Sequence, residues 1–351
     1  MKVLVLGGTG AMGVHLVQLL SNDGIETVVT TRKSRKSESN VKYIQGNAHN
    51  IEFLQTILQE HWDAIVDFMV YTTVSFRERI DLLLNATTQY VFLSSARVYA
   101  DSERPIIETS SRLLDVSQDA DYLATDEYAL TKARQEAILI KSGYKNYTII
   151  RPYITYSKNR LQLGVLEKEE WLYGALHDRT IVFSSDIMTK TTTLTSGFDV
   201  AKGIVSIIGK RNALREVFHI TTAESIKWSK VLEIYLAVLE KHLRYKPKVL
   251  LQDLDKFLEW KGSKYQIIYD RLFDRKFDNS KVSEFVDVAN FIDIETGLQQ
   301  CLESFLENPE FNYVNWKMEI MKSRLTSEKI PLSEVRGIKN KIRFLIFKVL
   351  Y

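Results

Sequence analysis

A single cysteine, Cys301, stands in a chain of 351 residues. It excludes an internal disulfide or a cysteine-cluster metal centre and suits a reducing compartment. Net charge is nearly absent too: 47 basic against 44 acidic residues leave +3, too balanced for a dedicated nucleic-acid binder. No stretch approaches the ~18 uncharged apolar residues of a membrane span. The opening apolar run 3–6 stops at Gly7-Gly8, short of the roughly 7–15 residues an export signal needs. A cytoplasmic location is the expectation. The six histidines show neither HxxxH nor HxH spacing, so no metal site is expected.

What is present is ordinary globular composition, 45% hydrophobic and 26% charged, in a length that suits about two domains. Short β-branched runs at 3–6, 27–31, 41–45, 64–68, 90–94 and 147–151 alternate with helical patterns at 12–21, 51–61, 76–86 and 128–142. That alternation predicts βαβ units: an α/β fold with a doubly wound parallel sheet of the Rossmann type. Beyond Arg151 the rhythm breaks, with a strand expected at 217–221 and helices at 229–241 and 295–306. The expected division is a dinucleotide-binding domain over 1–155 and a smaller, mostly substrate-binding domain over 156–351, with about 190–225 returning to the first.

Gly7-Gly8-Thr9-Gly10-Ala11-Met12-Gly13 follows the first strand and opens the first helix. Gly7 permits the tight turn, Gly10 lets backbone approach a pyrophosphate, and Gly13 allows close helix–strand contact. The helix start then offers N–H groups and about half a positive charge to phosphates. At the end of the second strand, where a carboxylate would accept bonds from the adenosine ribose, the chain has Thr30-Thr31-Arg32-Lys33, with Arg35 and Lys36 beyond. A guanidinium there can grip a 2′-phosphate, so NADP is the preferred cofactor and NAD the alternative. Tyr128 and Lys132 stand at i and i+4, on one helix face. Each unit by which a neighbouring ammonium lowers the phenol's pKa corresponds to ~1.4 kcal/mol of preference for phenolate. Tyr128 could then move a substrate hydroxyl proton near neutral pH.

With GGTGAMG at 7–13, SSARVY at 94–99, YALTK at 128–132, Arg151-Pro152 and Phe198-Asp199-Val200-Ala201, the chain resembles the extended short-chain dehydrogenase/reductase family, in its NAD-dependent epimerase/dehydratase group acting on nucleotide sugars. The likeness covers most of 1–225, with a weaker echo in Phe277-Asp278-Asn279-Ser280-Lys281. It implies Tyr128 as acid/base, Lys132 as ribose ligand and pKa modulator, and Ser95 as the hydrogen-bonding partner of the reacting oxygen. Ser94 is read as a strand-end residue, with the swapped assignment as the alternative. The implied cofactor set is Gly7, Thr9, Gly10, Ala11, Met12, Gly13, Thr31, Arg32, Lys33, Asn47, Ala48 and Phe68, together with Tyr128 and Lys132.

Departures narrow the reading. Gly46-Asn47-Ala48 stands where the family often has Gly-Asp to hold the adenine, and Ala96-Arg97 stands where its dehydratases resemble one another in carrying Asp-Glu. A dehydratase is therefore disfavoured. The expectation is an NAD(P)-dependent epimerase or reductase on a nucleotide-activated sugar, with a homodimer allowed and no nucleic acid. The alternative is a non-catalytic dinucleotide-binding sensor or an RNA-binding relative. His15, Trp171, Tyr173 and His177 are read as packing residues. Asp63 and Asp67, flanking a strand, are read as capping or solvated carboxylates. Residues 335–351 hold Arg336, Lys339, Lys341, Arg343 and Lys348 without one acid, and Ile338, Ile342, Leu345 and Val349 recur at helical spacing. Docking of that stripe on the protein's own second domain or a sister subunit is the reading, with a membrane surface as the alternative.

Overall fold

Successive side chains of a strand point to opposite faces, and the first strand, β1 (Lys2–Leu6), is apolar on both. Val3 and Val5 enter one core with Leu16, Val17, Leu20 and Ile204. Leu4 and Leu6 enter a second with Leu54, Phe76, Ile80 and Leu139. A strand covered on both faces is the signature of a parallel sheet wrapped by helices.

The computed structural model describes residues 1–350. The chain divides into two compact units. The first comprises Met1–Ser157, Thr193–Ser225 and Arg275–Ile294; the second comprises Lys158–Thr192, Ile226–Asp274 and the chain from Glu295 onward.

In the first unit β1 is followed by β2 (Glu26–Thr31), β3 (Val41–Gln45), β4 (Trp62–Asp67), β5 (Thr87–Leu93), β6 (Tyr147–Pro152) and the edge strand Val217–Ile220. They form one seven-stranded sheet in the order Val217–Ile220, β6, β5, β4, β1, β2, β3. Every pairing in it is parallel. The order reverses between β1 and β4, the switch point at which doubly wound sheets bind ligands beyond their carboxyl ends. Helices α1 (Gly13–Asn22) and Gly197–Ile207 cover the first core. The second is covered by α2 (Ile51–Ile57), α3 (Thr73–Asn85) and the Tyr128–Lys141 helix. Asn50 caps α2 by accepting from the Phe53 N–H, and Thr72 caps α3 by accepting from the Ser75 N–H. Helix α2 ends at Ile57, short of the expected 61, because β4 already begins at the buried Trp62.

Residues 275–294 have no strand or long helix, yet polar contacts tie them into the first unit. Asn279 accepts from the Thr221 hydroxyl and donates to the Thr222 carbonyl. His219 meets the Asp278 carbonyl at 2.6 Å. The echo at Phe277–Lys281 is thus the stretch that fastens this segment beside the edge strand.

In the second unit the Ile181–Ser184 and Val249–Gln252 strands pair in parallel. Trp171, on the Lys168–Ala175 helix, stacks on Tyr235 of the Trp228–Leu243 helix at 4.6 Å and donates its indole N–H to the Leu161 carbonyl. A further cluster joins Tyr173, Trp316, Ile320, Ile330, Val335 and Phe344. The Ile338–Leu350 helix enters that cluster through Phe344 and the half-buried Phe347. The stripe Ile338, Ile342, Leu345 and Val349 stays exposed, so the expected docking of that stripe on the protein's own second domain is corrected. The wider aromatic side chains on the opposite face fill the packed position.

Candidate active site

The glycine turn is shaped by what its side chains would strike. Gly7 has φ +72°, a left-handed conformation that costs glycine nothing. A Cβ on Gly13 would lie 2.7 Å from the Gly8 backbone, so α1 reaches β1 this closely only with glycine there. Beside Gly10 a Cβ would meet nothing within 4 Å; the space over the turn is open. Thr9, Gly10, Ala11 and Met12 lie at the surface or half-buried along it, and α1 starts after Met12 with no side-chain cap. An anion over this turn would find unclaimed helix N–H groups. Gly197, which the sequence reading passed over, backs the turn from behind: a Cβ there would lie 2.5 Å from the Ala11 carbonyl oxygen.

The remaining cofactor candidates ring the same sheet edge. Thr30 accepts from the Gly7 N–H. Thr31 is buried and turns back on its own loop, its hydroxyl donating to the Lys33 carbonyl at 3.0 Å. Arg32 and Lys33 are exposed beyond it. After β3, Ala48 is buried and Asn47 is exposed, its Oδ1 accepting from the His49 N–H at 3.1 Å. After β4 the Phe68 N–H donates to the Leu6 carbonyl, which places Phe68 across from Gly7.

The catalytic candidates converge on the end of β5. Ser95 is buried, and its Oγ accepts from the Arg97 N–H at 3.2 Å. Tyr128 is the first residue of the Tyr128–Lys141 helix, and Lys132 follows one turn later. Lys132 Nζ, fully enclosed, donates to the Leu93 carbonyl at 2.6 Å and lies 6.0 Å from the Tyr128 ring centre. Burial pushes this ammonium down to about 8, against the opposing pull of the Asp67 and Glu136 carboxylates. The Arg97 guanidinium lies 5.3 Å from the Tyr128 ring centre and pairs with Glu127. Two cations therefore lie near the Tyr128 ring.

Two buried carboxylates were not singled out as functional from sequence. Glu136 accepts from Ser94 Oγ at 2.5 Å, from Arg151 Nε and Nη2 at 2.8 and 2.7 Å, and from Arg112 Nη1 at 3.1 Å. Ser94 is thereby committed to this cluster. Asp67 was expected to cap or to be solvated; it is instead wholly buried at the end of β4. It accepts from the Met69 N–H at 2.9 Å, from the Tyr90 hydroxyl at 2.8 Å and from the Tyr71 hydroxyl at 3.4 Å. The correction has a simple cause: β4 is covered on both faces, so its end is not at the surface. Burial raises the Asp67 carboxyl, while its hydrogen bonds and Lys132 pull the other way. Asp63 is exposed and accepts from the Lys2 N–H. His15 is half-buried, its ring 5.7 Å from that of Phe198. The motif at 198–201 is structural here: Asp199 is buried, accepts from the Ile292 N–H and pairs with Lys202.

Comparison with known proteins bears on the fold and the family. The chloroplast stem-loop binding protein of 41 kDa b from Arabidopsis thaliana is 24% identical over 240 residues, covering 63% of this chain and 58% of that protein. A UDP-glucose 4-epimerase from Lactobacillus helveticus is 26% identical over 167 residues, covering 43% of this chain and 51% of that one. The chain thus spans a little over half the length of the curated relatives it matches. Among solved structures, an epimerase from Methanothermobacter thermautotrophicus superimposes with TM-score 0.68 at 16% identity, over 88% of this chain and 92% of that one. A UDP-glucuronic acid 4-epimerase from Bacillus cereus, in complex with UDP-glucuronic acid and NAD, superimposes with TM-score 0.64 at 18% identity, over 87% of this chain and 100% of that one. These likenesses establish the fold. The family model for the NAD dependent epimerase/dehydratase family matches residues 3–220, more than half of the sequence, and the chain belongs to that family.

Proposed function

We propose that this protein is an NAD(P)-dependent epimerase acting on a nucleotide-activated sugar, with Tyr128 as its acid/base. The observation that carries the reading is Lys132 Nζ, sealed between the Leu93 carbonyl and the Tyr128 ring at the end of β5, one helical turn from the phenol. The fit of a dinucleotide rests on the open space beside Gly10 and the uncapped start of α1. Gly7 to Gly13 would hold its pyrophosphate, Phe68 and Asn47-Ala48 would line its adenosine half, and Lys132 would reach its ribose. Bound there, such a cofactor would supply a reversible hydride acceptor for a sugar carbon.

The chain's own residues do the rest. Ser95 holds the reacting hydroxyl in line. Tyr128 takes its proton and later returns it, and the Lys132 and Arg97 charges favour the phenolate that accepts it. The absence of a carboxylate over 30–36, with Arg32 and Lys33 exposed, supports the phosphorylated dinucleotide as the preferred form. The NAD held by the Bacillus cereus neighbour supports the other form; parallel titrations with NADPH and NADH decide between them. Two relatives named for UDP-sugars support the substrate class. A reductase, which stops after one hydride transfer, shares all these residues.

The test is Tyr128→Phe assayed on a panel of UDP-sugars. Turnover falls about 10³-fold or more while dinucleotide affinity stays within about twofold, because the glycine turn, Asn47-Ala48 and Lys132 would still hold the cofactor. Unchanged turnover removes the proposal. A second reading, RNA binding without catalysis, is supported by the Arabidopsis thaliana relative named for stem-loop binding. Salt-sensitive retention of a stem-loop RNA, with no turnover on any sugar, would favour it.

A further inference from the structure

The Ile338–Leu350 helix carries apolar side chains on two faces, and only one of them is used. Phe344 is buried, its ring 5.7 Å from Trp316 and perpendicular to it. Phe347 packs half-buried on the same cluster, and Arg324 donates to the Lys348 carbonyl at 2.6 Å. The helix is therefore anchored along one side. On the opposite side Ile338, Ile342, Leu345, Ile346 and Val349 stand at i, i+4, i+7, i+8 and i+11, a continuous stripe. Val349 is 85% exposed and Ile338 78%. Single exposed apolar residues need no explanation, whereas five aligned on one face do.

What lies beside the stripe selects its occupant. Lys341 and Lys348 run along one edge, Lys339 and Arg343 along the other, and Arg336 precedes the helix; all five are exposed. No acidic residue occurs from 335 to 350. Among the described residues these five cations form no ion pair with a carboxylate. The 4-3-4 spacing of Ile338, Ile342, Leu345 and Val349 would also suit the seam of a two-helix coiled coil. In that arrangement Lys339, Lys341 and Lys348 fall on the flanking positions where pairing helices place opposite charges; an antiparallel copy would bring lysine against lysine, and a parallel one would set Lys341 beside Ile346, with no acid in the helix to pair either. An apolar stripe between two cationic edges is instead the pattern of a helix lying in the plane of an anionic lipid surface. With 13 residues it is too short to cross a bilayer, and no helix among the described residues is long and apolar enough to do so.

We propose that this helix seats the protein on anionic membrane surfaces, with Ile338, Ile342, Leu345, Ile346 and Val349 in the headgroup–acyl boundary and the flanking lysines and arginine on lipid phosphates. The inference is independent of the catalytic reading, since it uses no residue of the first unit.

The test is co-sedimentation of the full chain with phosphatidylcholine vesicles that contain about one third phosphatidylglycerol, beside vesicles of phosphatidylcholine alone. Binding to the anionic vesicles is expected to exceed that to the neutral ones about tenfold or more, and to weaken as salt rises. Ile342→Glu removes binding through the stripe, and the Lys341→Glu, Lys348→Glu double variant removes it through the charge. Both keep the parent's thermal midpoint, because none of the three side chains enters the Phe344 cluster. Equal binding to both vesicle types, or none to either, overturns the proposal. So does sedimentation velocity showing a concentration-dependent dimer that Ile342→Glu abolishes, which would give the stripe to a second copy.

Discussion

Tyr128, Lys132 and Glu136 stand on successive turns of one helix face, yet the first two turns and the third do opposite things with buried charge. At the third turn, every lone pair that Glu136 turns to the interior is met by Arg151, Arg112 or Ser94. A buried carboxylate that is fully paired holds β6, the end of β5 and the helix in register. One turn earlier, Lys132 has one carbonyl as its hydrogen-bond acceptor and two carboxylates only as a field. Burial wins there, and the ammonium is left ready to lose its proton near neutrality. The same helix therefore carries a fully paired charge on one turn and a sparsely paired one on the turn before. What separates them is the number of direct partners each charge is given, since both are inaccessible to solvent.

Three substitutions sharpen the contrast. The largest change in stability is expected at Glu136→Gln, which keeps the shape but strips the charge facing two guanidiniums. Breaking a buried pair from one side costs about 3–5 kcal/mol, readable as a lower urea midpoint with an unchanged slope. A cost below about 1 kcal/mol would mean that the arginines find water and that the cluster is not structural.

Lys132→Met comes next and has the opposite sign. Held down to about 8 from an ordinary 10.5, Lys132 binds its proton less tightly folded than unfolded. Its charge therefore opposes folding by about 3 kcal/mol below pH 8, and the penalty fades as pH rises towards 10.5. The cofactor-free Met variant should be more stable than the parent at pH 7 and lose that margin by pH 10, while its turnover collapses. A margin that does not change with pH would place the effect in packing instead.

The smallest effect is expected at Asp67→Asn. Its carboxylate favours the Lys132 ammonium, so removing it lets Lys132 deprotonate earlier. The alkaline limb of the pH–rate profile moves to lower pH by about one unit, with little change in the melting temperature. A profile that does not move would leave Asp67 a purely structural partner of Tyr71 and Tyr90.

Much of this molecule can be read from its residues. The β-branched runs, their alternation with helices and the glycine turn specify the sheet, because each of those signals reports local burial or local backbone geometry. The Tyr128–Lys132 spacing places both groups on one face for the same reason. What escapes such reading is partnership at a distance. Nothing around Asp67 in the sequence says that Tyr71 and Tyr90 close over it, and nothing near Glu136 names Arg112 or Arg151. The attachment of 275–294 to the first unit runs through Asn279 and a backbone carbonyl, contacts that leave no periodic trace. The exposed stripe of the Ile338–Leu350 helix misleads for a related reason: periodicity identifies an apolar face without saying which of two faces is already occupied.

Gly197 has a consequence of its own. The carbonyl of Ala11 sits where a side chain at 197 would have to be, so the glycine turn at the start of the chain is propped by a helix made far later in synthesis. A ribosome displays the whole of Gly7 to Gly13 long before the segment that supports it emerges, so the turn gains that wall only after the chain has passed residue 197.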